Sequence, residues 1–454
     1  MRKRNQKAIQ MRKIFELERQ LWRYWHNFYG MYEATSYERK ARKSFSQNGI
    51  KLPKNQLESF ARSSSTFVFG DNRLVPEDQE MMLQILRQWI RFCKKLILIT
   101  DRFPKSSQSL LNRLLRGEVS TNDFLKNVFE TSSGLYTEKG VVQLLEWVRK
   151  QRIKVIACGT SGSLEGQDLR LIQTILKYKN PNSTIWVWTG SIRVAPCHLP
   201  SSFRGFNENA LFLSLDSPET RWHNFMSKGF LRLGSNCFVY LNRSPLLSLE
   251  LFRAWRTKDG PVLSPSHLKT RLFDFISEIA QIAGEPAPPK PMKVLHPFET
   301  ASLKWILSGS ISKSVRSFIY ERLKRAESAV VPQYRIILLS TLDMGHVAEE
   351  AAHYCHLASY HKCRFGPIFS VVEEALAYLA STWIVPGRNE RWSEKRDVSS
   401  WKTVHKLGYS LGKKLSQEWK KSKKARSMIL ECWRIRPKNE KEAGLLWQEM
   451  KAIV

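Results

Sequence analysis

The stretch TFVFGDNRLVPEDQEMMLQILRQWIRFCKKLILITD (66–101) indicates the fold class of this chain. It begins with a short apolar run that ends at Gly70, continues in a longer segment with Pro76 near its start, and closes with a second apolar run. Apolar runs of roughly four to eight residues are typical of buried strands, and proline followed by acidic residues is typical of the first turn of a helix. The stretch therefore predicts a strand, a helix and a second strand.

The same alternation continues along the chain. Three further apolar runs predict strands: KVIACG (154–159), TIWVWTG (184–190) and ALFLSL (210–215). Segments with a helical pattern lie between the predicted strands. The segment FLRLGSNCFVYLN (230–242) predicts a hairpin around Gly234, because glycine and asparagine favour tight turns. Strands that alternate with helices are typical of βαβ units. The predicted fold class is α/β, with an open, mostly parallel sheet, flanking helices, the hairpin, and a mainly α-helical C-terminal part.

The length of 454 residues is enough for two or three domains. A Pro-rich segment, GEPAPPKPMK (284–293), has the composition of a linker, and YRIILLS (334–340) reads as one more strand. We predict four regions: a basic helical N-terminal arm (1–60), an α/β domain (61–260), a mainly helical region with one strand (261–390), and a basic helical tail (391–454).

The net charge of +32, from 73 Lys and Arg against 41 Asp and Glu, favours anionic partners. Basic residues lie close to aromatic ones at both termini, so nucleic acid or another polyanion is one predicted partner. A solvated basic surface with its aromatic residues packed inward is the other interpretation.

The seven cysteines are odd in number and form no CxxC pair, which favours free thiols over a disulfide framework. The N-terminus is basic, but no apolar segment of the signal-peptide type follows it. No apolar run approaches the roughly 18 residues that a transmembrane helix needs. The sequence therefore predicts a cytoplasmic protein without a transmembrane segment.

Residues 66–258 resemble the ChaN-like family, within the haem-binding uptake and Tiki superfamily, and specifically its bacterial branch. Five segments carry the resemblance in order: FVFGDNRLVPEDQ (67–79), LILITDRFPKSSQSLLNRLLRGEVSTNDFL (96–125), WVRKQRIKVIACG (147–159), IWVWTGSIRVAPCHLPSSF (185–203) and CFVYLNRSPLLSLELFRAW (237–255). The resemblance implies an open α/β sheet with a ligand site at the strand ends. It also implies haem binding, as in some members, or metal-dependent hydrolysis, as in related branches.

The sequence departs from the family at its two Gly-x-x-His turns. Here the turns end in Arg73 and Arg193, and Asp101 lies where the family has glutamate. A guanidinium group has no lone pair to offer and cannot ligate a metal, whereas neutral imidazole can. His198, Cys197 or a tyrosine remains as a candidate axial ligand, so haem or an anionic small molecule is the predicted ligand. The candidate residues of the ligand cleft are Gly70, Asp71, Arg73, Asp101, Gly190, Arg193 and His198.

A second candidate site lies in MGHVAEEAAHYCH (344–356). His346, Glu350 and His353 recur at intervals of four and three residues, which places them on one face of a helix. These residues predict a metal site, and the alternative is a helix whose histidines and glutamates act as caps or form hydrogen bonds within a domain interface.

These patterns favour a binding protein over an enzyme, and they predict no catalytic residue. The first interpretation is a non-catalytic, ChaN-like ligand-binding protein with a degenerate haem or metal centre. The alternative is a basic protein that binds nucleic acid or another polyanion, and the third is a metal-dependent hydrolase of the Tiki type. We expect Arg73 and Arg193 to face the cleft and to pair with Asp71 and Asp101, because buried charges need partners.

Overall fold

The fold is described from a computed structural model. It describes residues 2–28, 34–72, 75–93, 95–128, 137–204, 210–215, 217–226, 228–241, 243–257, 265–308, 311–358, 366–386 and 400–454. The chain divides into two compact units, Met1–Phe252 and Arg253–Val454.

The first unit combines helices with one large sheet. Its strands are β1 (Ile50–Leu52), β2 (Thr66–Asp71), β3 (Lys95–Pro104), β4 (Lys154–Gly159), β5 (Ser183–Gly190), β6 (Ala210–Leu215), β7 (Gly229–Arg232) and β8 (Cys237–Leu241). Its helices are α1 (Arg2–Phe28), α2 (Ser36–Phe45), α3 (Lys54–Ser63), α4 (Pro76–Trp89), α5 (Gln108–Arg116), α6 (Thr121–Val128), α7 (Thr137–Lys150), α8 (Leu164–Tyr178), α9 (Leu199–Phe203) and α10 (Pro218–His223). Helix α11 (Pro245–Thr257) contains the boundary between the units.

The eight strands of this sheet follow the order β1-β7-β8-β6-β2-β5-β3-β4. Strands β8, β6, β2, β5, β3 and β4 pair in parallel, and β7 pairs with β1 and β8 in antiparallel fashion. The predicted α/β class, the mostly parallel sheet and the hairpin are therefore confirmed. Strand β2 lies between β6 and β5, so it is an internal strand of the sheet. Ligand clefts of α/β proteins form at the carboxyl ends of such strands.

Side chains along each strand point alternately to the two faces of the sheet. Both faces therefore carry apolar residues, and helices cover both. Phe67 and Phe69 of β2 pack with Trp186 in one core cluster, and Val68 packs with Val187 in the other. All five side chains are buried. The alternating apolar pattern thus accounts for the layered arrangement of the first unit.

The N-terminal arm packs on the α/β domain. Leu21 and Trp25 of α1 are fully buried, and Glu18 of α1 forms a buried ion pair with Arg221 of α10, at 2.8 Å between Oε2 and Nε. Helix α2 begins with a capping box in which Thr35 and Glu38 satisfy each other's backbone N–H groups. The arm therefore holds α2 against the α/β domain.

The second unit is mainly helical. Its helices are α12 (Pro265–Ala283), α13 (Thr300–Leu307), α14 (Lys313–Lys324), α15 (Met344–Leu357), α16 (Pro367–Ile384), α17 (Ser400–Lys421), α18 (Lys423–Arg434) and α19 (Glu440–Ile453). A small sheet accompanies them, with the order β10-β11-β9 and the strands β9 (Lys293–Leu295), β10 (Ala329–Val331) and β11 (Ile336–Leu338).

Two sequence predictions about strands need correction. The described residues of the region 261–390 form three strands where one was predicted, and the arm 1–60, predicted as helical, contributes β1 to the edge of the large sheet. Each missed strand has three residues, which is too short for an alternating pattern to appear. The Pro-rich segment 284–293 lies within the second unit, between α12 and β9.

Candidate functional site

The candidate cleft lies where the parallel strands β2, β3 and β5 end. Asp71, the last residue of β2, pairs in register with Gly190, the last residue of β5, and Asp101 lies in the neighbouring strand β3. Gly70 is packed so tightly that a Cβ atom there would lie 2.6 Å from Cγ2 of Val194. This close approach fixes the turn Ser191–Val194 on the end of β2.

Arg193, in that turn, joins two carboxylates. Its Nη1 atom contacts Oδ2 of Asp101, and its Nε atom donates to Oδ1 of Asp168 of α8 at 2.5 Å. Only 4% of the Arg193 side chain is exposed. The Thr189 hydroxyl donates to Asp101 Oδ2 at 2.8 Å, which holds this carboxylate in place. The guanidinium thus occupies the position where the family resemblance expects a ligating histidine.

A second arginine, Arg102, holds the end of β2. Its Nη2 atom contacts the Asp71 carboxylate and donates to the carbonyl oxygens of Asp71 and Thr189, at 2.9 Å each. Gln79 of α4 donates to Asp71 Oδ2 at 2.6 Å. Asp71 therefore pairs with Arg102, a residue that the sequence patterns did not single out.

The arm covers this group through Tyr37 of α2. The Tyr37 hydroxyl donates to Oδ2 of Asp168 at 2.6 Å. The His198 ring stacks on the Tyr37 ring, with centroids 3.5 Å apart and planes within 2°, and its Nε2 atom lies 3.0 Å from the Tyr37 carbonyl oxygen. His198 is thus buried against the arm and only 8% exposed. We call Asp71, Asp101, Arg102, Asp168 and Arg193 the strand-end cluster.

Burial shapes the electrostatics of the strand-end cluster. Desolvation lowers the pKa of Arg102 and that of Arg193 to about 10 each, so both guanidinium groups stay charged at neutral pH. Desolvation also raises the pKa of Asp168 to about 7, against the opposing effect of the Tyr37 hydroxyl that donates to it. The pKa of His198 is lowered by its burial, which favours the neutral ring.

The structure brings together five of the seven predicted cleft residues: Gly70, Asp71, Asp101, Gly190 and Arg193. His198 is connected to them through Tyr37 and Asp168. Arg73 lies outside the described residues. Sequence patterns missed Arg102, Asp168 and Tyr37, and the nearest signal for Arg102 was its place directly after Asp101 at a strand end.

The predicted metal residues lie in the second unit, on α15. His346 contacts Asp343, the N-cap residue of α15, with 3.0 Å between Nδ1 and Oδ1. His353 belongs to the one group of side chains in the described residues whose ligand atoms lie close enough to hold an ion. That group contains Glu349 and not the predicted Glu350, since neighbouring residues on a helix point in different directions.

Comparisons of the chain with protein-family models, with curated proteins and with solved structures find no match. The family likeness therefore depends on the five sequence segments alone. None of the helices in the described ranges is long and apolar enough to cross a membrane. The six cysteines within these ranges are free thiols.

Proposed function

We propose that this protein is a non-catalytic, ChaN-like protein in which an ion-pair cluster replaces the haem or metal centre of the family. One observation carries the proposal: Arg193, which follows the second strand-end glycine by three residues, contacts both Asp101 and Asp168. The acidic groups that would support a metal or a reacting water are engaged by a cation that cannot ligate.

The contacts around the cluster argue against haem ligation and hydrolysis. Haem iron needs an axial ligand that a bulky porphyrin can reach, and His198 is only 8% exposed and stacks face to face on the Tyr37 ring. A hydrolase needs a general base or a metal-bound water, and Asp101 accepts from Thr189 and contacts Arg193. The geometry therefore supports a structural role for the strand-end cluster.

Haem binding by the full-length protein tests this proposal. We expect no Soret shift when haemin is added to the wild type, because guanidinium cannot ligate iron and the nearby His198 is buried against Tyr37. The double variant Arg73→His with Arg193→His restores both turns of the family pattern, and it is expected to gain haem or zinc affinity. The Soret band is an absorption of haem, so a metal ion bound in the second unit does not affect this measurement.

Two results would contradict the proposal. One is a stoichiometric Soret band in the wild type that disappears in His198→Ala. The other is metal-dependent hydrolysis that disappears in Asp101→Asn. The variant Arg116→His, in which the new histidine is exposed, is the matched control for a histidine introduced at an arginine position.

A second candidate function, polyanion binding, is favoured by one feature of α17. Lys406, Lys413 and Lys420 are exposed and recur every seven residues, so they lie along one face of this helix. Trp419 packs on Trp383 with centroids 4.8 Å apart, so this aromatic residue is engaged in packing and is not a free platform for bases. The contact would therefore be electrostatic.

Retention on heparin and DNA at increasing salt tests this second function. Replacing Lys406, Lys413 and Lys420 with glutamine is expected to lower the slope of log affinity against log salt by about 3, since each phosphate contact contributes about 1. A triple control with exposed lysines of the first unit, Lys54, Lys105 and Lys126, should retain the slope. Equal slopes for both triple variants would contradict the assignment to α17.

A further inference from the structure

The second unit contains a buried group of carboxylates and imidazoles within its helices. Glu349 and His353 lie on α15, Glu374 lies on α16, and His405 lies on α17. We call these four residues the Glu–His cluster. Glu349 and Glu374 are 3% and 5% exposed. Charged side chains are rarely buried to this extent unless they are paired or bind a cation.

Helix geometry explains why these residues meet. Glu349 and His353 are four residues apart, so they lie on one face of α15. Gly408 allows α17 to approach α16, because a Cβ atom at this position would lie 2.4 Å from Cβ of Glu374. Gly412, one turn later, makes a similar approach at the carbonyl oxygen of Ala375. The two glycines thus bring His405 close to Glu374.

The distances suit a shared ion. Ligand atoms of Glu349, His353 and Glu374 all lie within 4.8 Å of one another. Oε2 of Glu374 lies 4.0 Å from Nε2 of His353 and 2.8 Å from Nδ1 of His405. This oxygen is buried, yet it accepts no hydrogen bond of good geometry from any residue that the structure describes. A cation between these groups would satisfy it.

A neighbouring pair on the same helices shows a different arrangement. His356 of α15 faces Glu373 of α16, with 2.5 Å between Nδ1 and Oε1, and its Nε2 atom lies 3.2 Å from the carbonyl oxygen of Ile435. Both ring nitrogens of His356 therefore face oxygen atoms, which leaves no lone pair directed to an ion. The Glu–His cluster differs because the ligand atoms of two carboxylates and of His353 lie within 4.8 Å of one another, and His405 lies beside Glu374.

We propose that the Glu–His cluster binds one divalent transition-metal ion of the zinc, iron(II) or manganese(II) class. Two carboxylates and two imidazoles from facing helices form a mixed nitrogen and oxygen ligand set, which suits these borderline ions and is a common way to build metal sites in helical bundles. The Tyr409 hydroxyl donates to Oε1 of Glu349, and its ring lies 4.0 Å from the His405 ring. Tyr409 is thus a positioning residue for two ligands. This site lies in the second unit and does not depend on the function proposed for the strand-end cluster.

Cobalt(II) and zinc(II) binding by the full-length protein tests the site. After chelator treatment and gel filtration, we expect one Co²⁺ per chain with visible d–d absorption, and Zn²⁺ should displace it. Glu374→Gln and His353→Gln should each weaken Zn²⁺ binding by more than about 100-fold. Tyr409→Phe should weaken it by about 10- to 100-fold, as is typical of groups that orient metal ligands.

Matched substitutions distinguish the site from general effects. Glu418→Gln removes a carboxylate that pairs with Lys421 on the surface of α17, and His267→Gln removes an exposed histidine of the same unit. Both controls should bind Zn²⁺ as the wild type does. If His353→Gln fails to fold, His405→Gln on α17 repeats the test from another helix. The proposal is overturned if the wild type binds no Co²⁺, or if the ligand variants bind it as tightly as the controls.

Discussion

The two units bury acidic groups in two chemically different ways. In the strand-end cluster, Asp71, Asp101 and Asp168 are paired with the guanidinium groups of Arg102 and Arg193. In the Glu–His cluster, the carboxylates lie beside imidazoles. Guanidinium is permanently charged and fills the site, whereas neutral imidazole adds a lone pair to it. The basic partner of a buried acid therefore decides whether the acid supports structure or can contribute to a metal site.

The same difference separates the fold of the first unit from the chemistry of its cleft. This unit has the predicted α/β fold, and Arg193 at its strand ends pairs with two acids. In the second unit, imidazoles lie beside the buried acids in place of guanidinium.

The largest effect is expected from Arg193→Met. This change leaves Asp101 and Asp168 buried without their guanidinium partner, and breaking a buried pair in this way costs about 3–5 kcal/mol of unfolding free energy. Urea unfolding of the full-length protein, followed by the transition of the first unit, measures it. Arg116→Met breaks an exposed pair with Glu118 and should cause no measurable change. Equal effects of both substitutions would contradict the structural role of the strand-end cluster.

Zinc should stabilise the second unit by a smaller amount. At a free concentration about 100 times its Kd, a ligand that binds only the folded state contributes about 2.7 kcal/mol. For a unit of this size the Tm should rise by roughly 5–10 °C. Calorimetry with zinc and then with excess chelator measures the shift. Glu374→Gln should remove it, and an unchanged Tm in the wild type would argue against the Glu–His cluster as a metal site.

A still smaller effect concerns pH and His198. Its folded pKa is lowered by burial from the ordinary value of 6.5, so the unfolded chain takes up a proton first as the pH falls. The contribution of His198 to the unfolding free energy should therefore fall as the pH drops below about 6.5, whereas that of Asp168, with its pKa raised to about 7, changes in the opposite direction. His198→Gln should remove the His198 contribution between roughly pH 7 and pH 5 and so change the slope, and the exposed His223→Gln should not. The same slope in all three proteins would contradict a buried neutral His198.

Much of the fold could be predicted from the sequence because its main strands are long enough to show a pattern. Strands β2, β3, β4, β5 and β6 each have at least six residues and coincide with apolar runs. Strands β1, β9 and β10 have three residues each and show no such pattern. Their positions depend on pairing with distant strands, which local sequence does not encode.

Contacts within the site could be predicted only between residues at strand ends that lie along the same edge of the sheet. Asp101 lies in β3 and Arg193 follows β5, and both strands run to that edge, so their contact was expected. Tyr37 and Asp168 are 131 residues apart, and only the packing of α2 on the domain brings them together. On α15, the spacing predicted His353, but the packing against α16 decides that Glu349 joins it in place of Glu350.

The metal content of three proteins tests the contrast between the two clusters most directly. Wild type, Asp101→Asn and Glu374→Gln are dialysed against zinc, freed of loose metal and analysed for zinc per chain. We expect one zinc in the wild type and in Asp101→Asn, and none in Glu374→Gln. A wild type without zinc, or a zinc ion that is lost in Asp101→Asn and retained in Glu374→Gln, would contradict it.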